Sequence, residues 1–143
     1  AMLCPNIKFI LVGQGTERLG SLDNVIKLGL IKDMTSIYCA SDGLLSLSNF
    51  GEGFPNVIGE AMACGVPVLA NDVGDSWHVM GELGCLLEGS SLEQVANEIK
   101  LFFETKARSL SQHEIINRIR CDFSDTIMIE SFRKIYLRKS DES

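Results

Sequence analysis

The sequence predicts an α/β protein, a parallel β-sheet flanked by helices, built as one domain over residues 1–143. Short apolar runs, many of them β-branched, alternate with segments of helical period, the pattern of parallel strands joined by right-handed crossovers. A chain of 143 residues is long enough to bury one sizeable core. With 45% hydrophobic and 22% charged residues, the composition is that of a soluble globular protein rather than a disordered one.

The first strand, Ile7 to Val12, ends at Gly13-Gln14-Gly15, so the chain leaves a buried strand through a tight turn. A short helical segment opens at Thr16, and Gly20, Ser21 and Asp23-Asn24 end it before a second strand, Val25 to Leu28. Asp33 is placed to cap a helix from Met34 to Ala40, with Met34, Ile37 and Tyr38 on one face. The third strand is Gly43 to Leu47. A loop and a short helix follow, with Pro55 in the first helical turn, where its missing N–H costs least.

Val66 to Ala70 is the fourth strand, and Pro67 is tolerated near its start. A helical turn at Trp77 to Met80 precedes the last strand, Cys85 to Glu88. Ser91 with Gln94 reads as a capping box opening a helix to about Thr105, and Ser111 with Glu114 repeats the signal for a helix to about Cys121. A final helix starts near Ser124 or Asp125 and carries Met128, Phe132, Ile135 and Tyr136 on one face, before a polar, fraying end.

Charge excludes one class of partner. A net charge of −6 and a pI near 4.9 are the wrong sign for a nucleic-acid surface. The basic residues Arg133, Lys134, Arg138 and Lys139 read as a solvated helix face. Five widely spaced cysteines without a Cys-x-x-Cys pair fit buried free thiols in a reducing compartment. No apolar run is long enough to span a bilayer and the first residues lack a signal-peptide pattern, so a cytoplasmic location is expected.

Gly13-Gln14-Gly15 does not complete a dinucleotide fingerprint, because the third glycine position is Arg18. A structural turn accounts for these residues as well as close approach to a ligand does. No Asp-x-Asp pair is present, and His78 and His113 lack accompanying ligands or a triad, so neither a metal nor an organic cofactor is expected.

The segment from Ser48 to Ala70 carries more. Its loop leaves the carboxyl end of a strand, the usual ligand side of an open α/β sheet, and Gly51 and Gly53 allow close backbone approach. The amides of Asn56 and Val57 at a helix start make an anion site, with Glu52 beside it and Glu60 about one turn into the helix. Two carboxylates near a phosphate site suit a ligand bearing both hydroxyls and phosphate, as a sugar nucleotide does. Taken singly, each acid is more often a solvated surface residue.

This segment, with Glu52-x7-Glu60 inside Glu-Gly-Phe-Pro-Asn-Val-Ile-Gly-Glu-Ala-Met-Ala-Cys-Gly-Val-Pro-Val and Asn71-Asp72-Val73-Gly74-Asp75 after it, resembles the C-terminal, donor-binding domain of family-4 retaining glycosyltransferases. Phe9 to Gly15, Leu28-Gly29, Ala40-Ser41-Asp42 and Phe123-Ser124 extend the similarity, which is greatest to bacterial enzymes of surface-polysaccharide synthesis. The resemblance implies a Rossmann-like sheet, one half of a GT-B fold. It implies that Glu52 is the catalytic residue at the donor sugar and that Glu60 holds the ribose hydroxyls. Gly13, Gly15, Gly53, Phe54, Pro55, Asn56 and Val57 would line the sugar and diphosphate, and the backbone near Ile31 would meet the base.

The family carries a further strand and helix before this segment, with an Arg and a Lys for the diphosphate, and a separate acceptor domain; the resemblance implies a chain truncated on that side. His78 stands where the family often has Glu. The expected activity is retaining transfer of a hexose or N-acetylhexosamine from a nucleoside-diphosphate sugar, a UDP-sugar by preference, to a glycan or lipid-linked glycan. Peripheral contact with the inner membrane face would come through the full-length enzyme. The competing reading is a non-catalytic nucleotide-sugar binding module of the same fold.

Overall fold

The computed structural model describes residues 1–49 and 53–140. Each expected strand forms within two residues of its expected ends: β1 (Phe9–Val12), β2 (Val25–Gly29), β3 (Leu44–Ser46), β4 (Val68–Ala70) and β5 (Gly84–Leu86). All pairings are parallel. They make two ladders, β1–β2 and β3–β4–β5, where the strand order suggested one. Side chains connect what backbone hydrogen bonds do not: Phe9 of β1 packs in the same core cluster as Leu45, Leu69 and Cys85 of the second ladder, with Ile99 and Phe102 over them.

The helix that matters most is α2 (Asn56–Ala63). Its Ile58, Gly59, Ala61 and Met62 are buried, three- and four-residue spacings that define one face, while Asn56, Val57 and Glu60 are exposed. Packing on that face joins Ile58, Ala61 and Met62 to Val66, Val68, Val79, Met80 and Ile115 in the second core cluster. The helix ends in a Schellman motif: the Gly65 amide donates to the Met62 carbonyl at 2.9 Å and the Val66 amide to Ala61 at 3.0 Å.

Gly65 sits at φ +78, and a Cβ there would lie 3.3 Å from Gln112 Cβ and Ile116 Cδ1. Gly65→Ala therefore combines left-handed strain with crowding and is expected to cost about 1–2 kcal/mol. Urea denaturation measures this; a variant as stable as the parent would contradict the motif.

Helix α1 (Thr35–Cys39) starts one residue later than expected, so Met34 rather than Asp33 holds the N-cap position; Asp33 still accepts from the Thr35 amide and the Ser36 hydroxyl, both at 3.1 Å. The short α3 (Ser76–Met80) follows β4. At α4 (Leu92–Leu101) the capping box of Ser91 and Gln94 is present in both directions. That helix does not stop at Thr105. It continues through a π turn, Phe102–Lys106, into α5 (Ala107–Ser109). The wider turn turns two consecutive aromatics inward, Phe102 and Phe103 meeting edge to face at 5.2 Å.

Helix α6 (Gln112–Asp122) begins after Ser111 as expected, but without a side-chain cap bond, so the second capping box is not made. The stripe of Met128, Phe132, Ile135 and Tyr136 on α7 (Asp125–Ser140) is exposed, not packed into a core. All five cysteines are free thiols, but Cys39 and Cys121 are exposed rather than buried. No described helix is long and apolar enough to cross a membrane.

Candidate functional site

Two loops leave the carboxyl ends of neighbouring strands β3 and β4 and are tied together. The Asn71 side chain donates to the Ser48 carbonyl at 3.2 Å and to Asn49 Oδ1 at 2.8 Å. The Asp75 amide donates to the Gly53 carbonyl at 3.1 Å. These bonds grip the β3 loop on both sides of Glu52, the expected catalytic residue, which with Phe50 and Gly51 lies outside the described residues.

Pro55 occupies the N-cap position, not the first helical turn; its extended ψ of 92° turns the loop into the helix. Intrahelical bonding starts with the Ile58 and Gly59 amides, which both donate to the Pro55 carbonyl at 3.0 and 3.2 Å. The amides of Asn56 and Val57 precede it and have no acceptor within the helix. Gly53, Phe54, Asn56 and Val57 are exposed, whereas Pro55, also expected to line the ligand, is buried where the chain turns into the helix.

The Phe54 ring turns back onto the protein. It lies 5.6 Å from Phe123 and covers Gly59, where a Cβ would come within 3.1 Å of it. Phe123 in turn meets His78 edge-on at 5.5 Å and lies under the Arg118 guanidinium. Arg118 also donates to the carbonyls of His78 and Val79, tying α6 to the end of α3. This aromatic column backs the loop at Phe54, and the exposed His78 ring is its outer member.

Glu60 projects from the exposed face of α2 and accepts a hydrogen bond from the Tyr38 hydroxyl of α1 at 3.1 Å. Burial first, and then the Glu60 bond and charge, push the Tyr38 phenol from 10.0 up to about 12. The folded value exceeds the unfolded one. Stability linked to this proton is therefore complete below about pH 10 and is lost as the pH rises through about 12. Cys64, one turn beyond Glu60, has its thiol pushed up by burial and then by Cys39 and Glu60, which leaves it a poor nucleophile.

Gly13, Gly15 and Ile31 lie at the carboxyl ends of the other ladder. Gly13 and Gly15 have φ of +136 and +88, and each has open space where a Cβ would stand, so conformation rather than crowding selects glycine. The Thr16 hydroxyl donates to the Gly13 carbonyl at 2.9 Å and accepts from the Gly29 amide at 3.1 Å, pinning the turn to the end of β2. Ile31 follows β2 and is half-buried. Among the described residues, no hydrogen bond joins this group to Gly53–Glu60.

Sequence reasoning placed Tyr38 on a packed face but missed its bond to Glu60; a buried phenol needs a partner, and that rule was the available signal. It also missed the bracing by Asn71, Phe123 and Arg118. A cavity of about 380 Å³, lined by Asp42, Gly65, Pro67 and Gln112 among others, opens at the amino ends of β3 and β4 and contains none of the expected site residues. Among the described residues, no group of three or more His, Cys, Asp or Glu side chains is placed to hold a metal ion.

Comparison with known proteins bears on the family and the fold. The chain is 31% identical over 96 residues to the Vi polysaccharide biosynthesis protein VipC/TviE of Salmonella typhi, a match covering 61% of this chain and 15% of that protein. A glycosyltransferase from Rickettsia africae superposes with a TM-score of 0.73 at 17% identity, over 99% of this chain and 45% of that one. Anabaena Alr3699/HepE, solved in complex with UDP-glucose, superposes with a TM-score of 0.59 at 24% identity, over 83% and 43% of the two chains. The chain thus spans less than half the length of these relatives. The structural likenesses establish the fold as that of GT-B glycosyltransferases. The family model for group 1 glycosyl transferases matches residues 2–104, most of the chain, and the chain belongs to that family.

Proposed function

We propose that this chain is the donor-binding part of a retaining glycosyltransferase that moves a hexose or N-acetylhexosamine from a UDP-sugar to a glycan or lipid-linked glycan. One observation carries the reading: the braced loop after β3 runs into the amino end of α2, with Glu60 held one turn further on. Free amides at a helix start favour a diphosphate, and a carboxylate beside them accepts from ribose hydroxyls. UDP-glucose is bound by the Anabaena relative, which supports the choice of base.

In this reading Glu52 faces the donor sugar. The amides near Phe54, Asn56 and Val57 meet the sugar and diphosphate, and the backbone near Ile31 meets the base. The turn at Gly13 and Gly15 offers close backbone approach to the same ligand. Retention without a nucleophile of its own follows when the acceptor attacks from the face the diphosphate leaves, with the protein orienting the groups and stabilising charge. The acceptor domain and any membrane contact belong to the longer enzyme, at the cytoplasmic face.

Ligand-induced stabilisation tests the donor assignment. A UDP-sugar at about 100 times its Kd should stabilise the chain by roughly 2.7 kcal/mol, visible as a raised Tm, with smaller effects from GDP- and ADP-sugars. No shift with any of the three would overturn the nucleotide-sugar reading. In the longer enzyme, unchanged turnover of Glu52→Ala would sink the reading of Glu52 as the catalytic residue.

A further inference from the structure

We propose that Tyr38 is a positioning residue for nucleotide recognition: it holds the Glu60 carboxylate in the orientation that accepts the ribose hydroxyls. The inference rests on the reading of Glu60 as the ribose acceptor and adds the group that makes Glu60 effective. Glu60 lies on the exposed face of α2. A glutamate there has three rotatable side-chain bonds and, left alone, samples many rotamers, so a ligand would have to order it on binding.

Tyr38 removes that freedom. Its side chain is only 5% exposed and packs in the same cluster as Ile58, Ala61 and Met62, the buried face of the helix that carries Glu60. The ring is therefore fixed relative to α2, and its hydroxyl reaches outward to Glu60 Oε2 at 3.1 Å. Holding one oxygen leaves Oε1, and the remaining lone pair of Oε2, for a vicinal diol. The phenol keeps its proton throughout the neutral range, because burial and the facing carboxylate both oppose its ionisation. Its role is that of a permanent donor, and a phenylalanine would fill the same space without it.

The test compares UDP with 2′,3′-dideoxy-UDP, which keeps the base and diphosphate and lacks the diol. Binding of each to the chain is followed by NMR titration into the millimolar range, for wild type, Tyr38→Phe and Glu60→Gln. The wild type should prefer UDP, and Tyr38→Phe should weaken UDP binding by about 3–10-fold while leaving the dideoxy analogue nearly unchanged. A purely structural loss would weaken both ligands together, and that outcome overturns the proposal.

An unaltered preference in Tyr38→Phe also overturns it, while leaving the role of Glu60 intact. A wild type that binds UDP but does not prefer it to the analogue, or a Glu60→Gln that keeps the full preference, refutes the ribose reading itself. A wild type that binds neither refutes the nucleotide reading beneath it. Should Tyr38→Phe fail to fold, 3-fluorotyrosine in the parent fold replaces it. The only other tyrosine is Tyr136, so Tyr136→Phe assigns the signal. A Tyr38 fluorine resonance that moves with UDP and not with the analogue supports the proposal, and equal movement with both overturns it.

Discussion

Ile58→Ala is expected to lower the unfolding free energy by about 2–5 kcal/mol, enough to consume much of a small domain's stability. Ile58 is fully buried, and its neighbours in the cluster come from several elements: Tyr38 of α1, Val68 of β4, Val79 of α3 and Ile115 of α6. Surroundings drawn from four elements cannot all close on a cavity at once, so the loss should lie above the bare transfer cost of the deleted carbons. Ile58→Val, which removes one methylene, should cost only about 0.5–1.5 kcal/mol. Urea denaturation with an unchanged m-value separates a stability loss from a change in the unfolded state. A loss below about 1 kcal/mol for the alanine variant would mean that α2 is not clamped to the core as described.

That clamp explains why so much of the fold could be read from sequence. Each strand is a short run of apolar side chains with glycine or proline nearby, and α2 carries its buried residues at helical spacing. These signals are local. The box at Ser91 was legible for the same reason, and it forms: Gln94 Oε1 accepts from the Ser91 amide and also from the amide and hydroxyl of Ser90, so three donors hold it. Glu114 of the unformed box has no hydroxyl to match that of Ser90, since Leu110 precedes Ser111. A motif read as a spacing thus needed a further neighbour to close.

The site was legible where it is contiguous and hidden where it is assembled. Gly53 to Glu60 form one stretch, and the exposed rim with its helix start emerges from that stretch alone. The bracing comes from residues far along the chain: Asn71 to Asn49, Phe123 behind Phe54, Tyr38 beneath Glu60. Pairings of that kind depend on which faces meet after folding, and no spacing rule announces them. The division into two ladders is hidden for a related reason. Strand order shows that parallel pairing is available, but not where the packing of Phe9 and Leu45 against one shared core cluster takes the place of a backbone ladder.

The functional prediction with the largest expected effect falls on Glu60. Glu60→Ala should weaken UDP binding by about 5–50-fold, the loss of charge-assisted hydrogen bonds reduced for a side chain that water reaches. Stability should change much less, by about 1 kcal/mol or under, because water can replace the carboxylate at the Tyr38 hydroxyl. The two measurements must diverge: isothermal titration reads the affinity and thermal unfolding reads the fold. Glu60→Gln keeps one acceptor oxygen and loses the charge, so it should fall between wild type and alanine. An alanine variant with wild-type affinity would show that the ribose finds its acceptor elsewhere on the rim. Equal losses of affinity and stability would instead assign Glu60 to holding α1 against α2, through the bond to Tyr38, and remove it from the ligand.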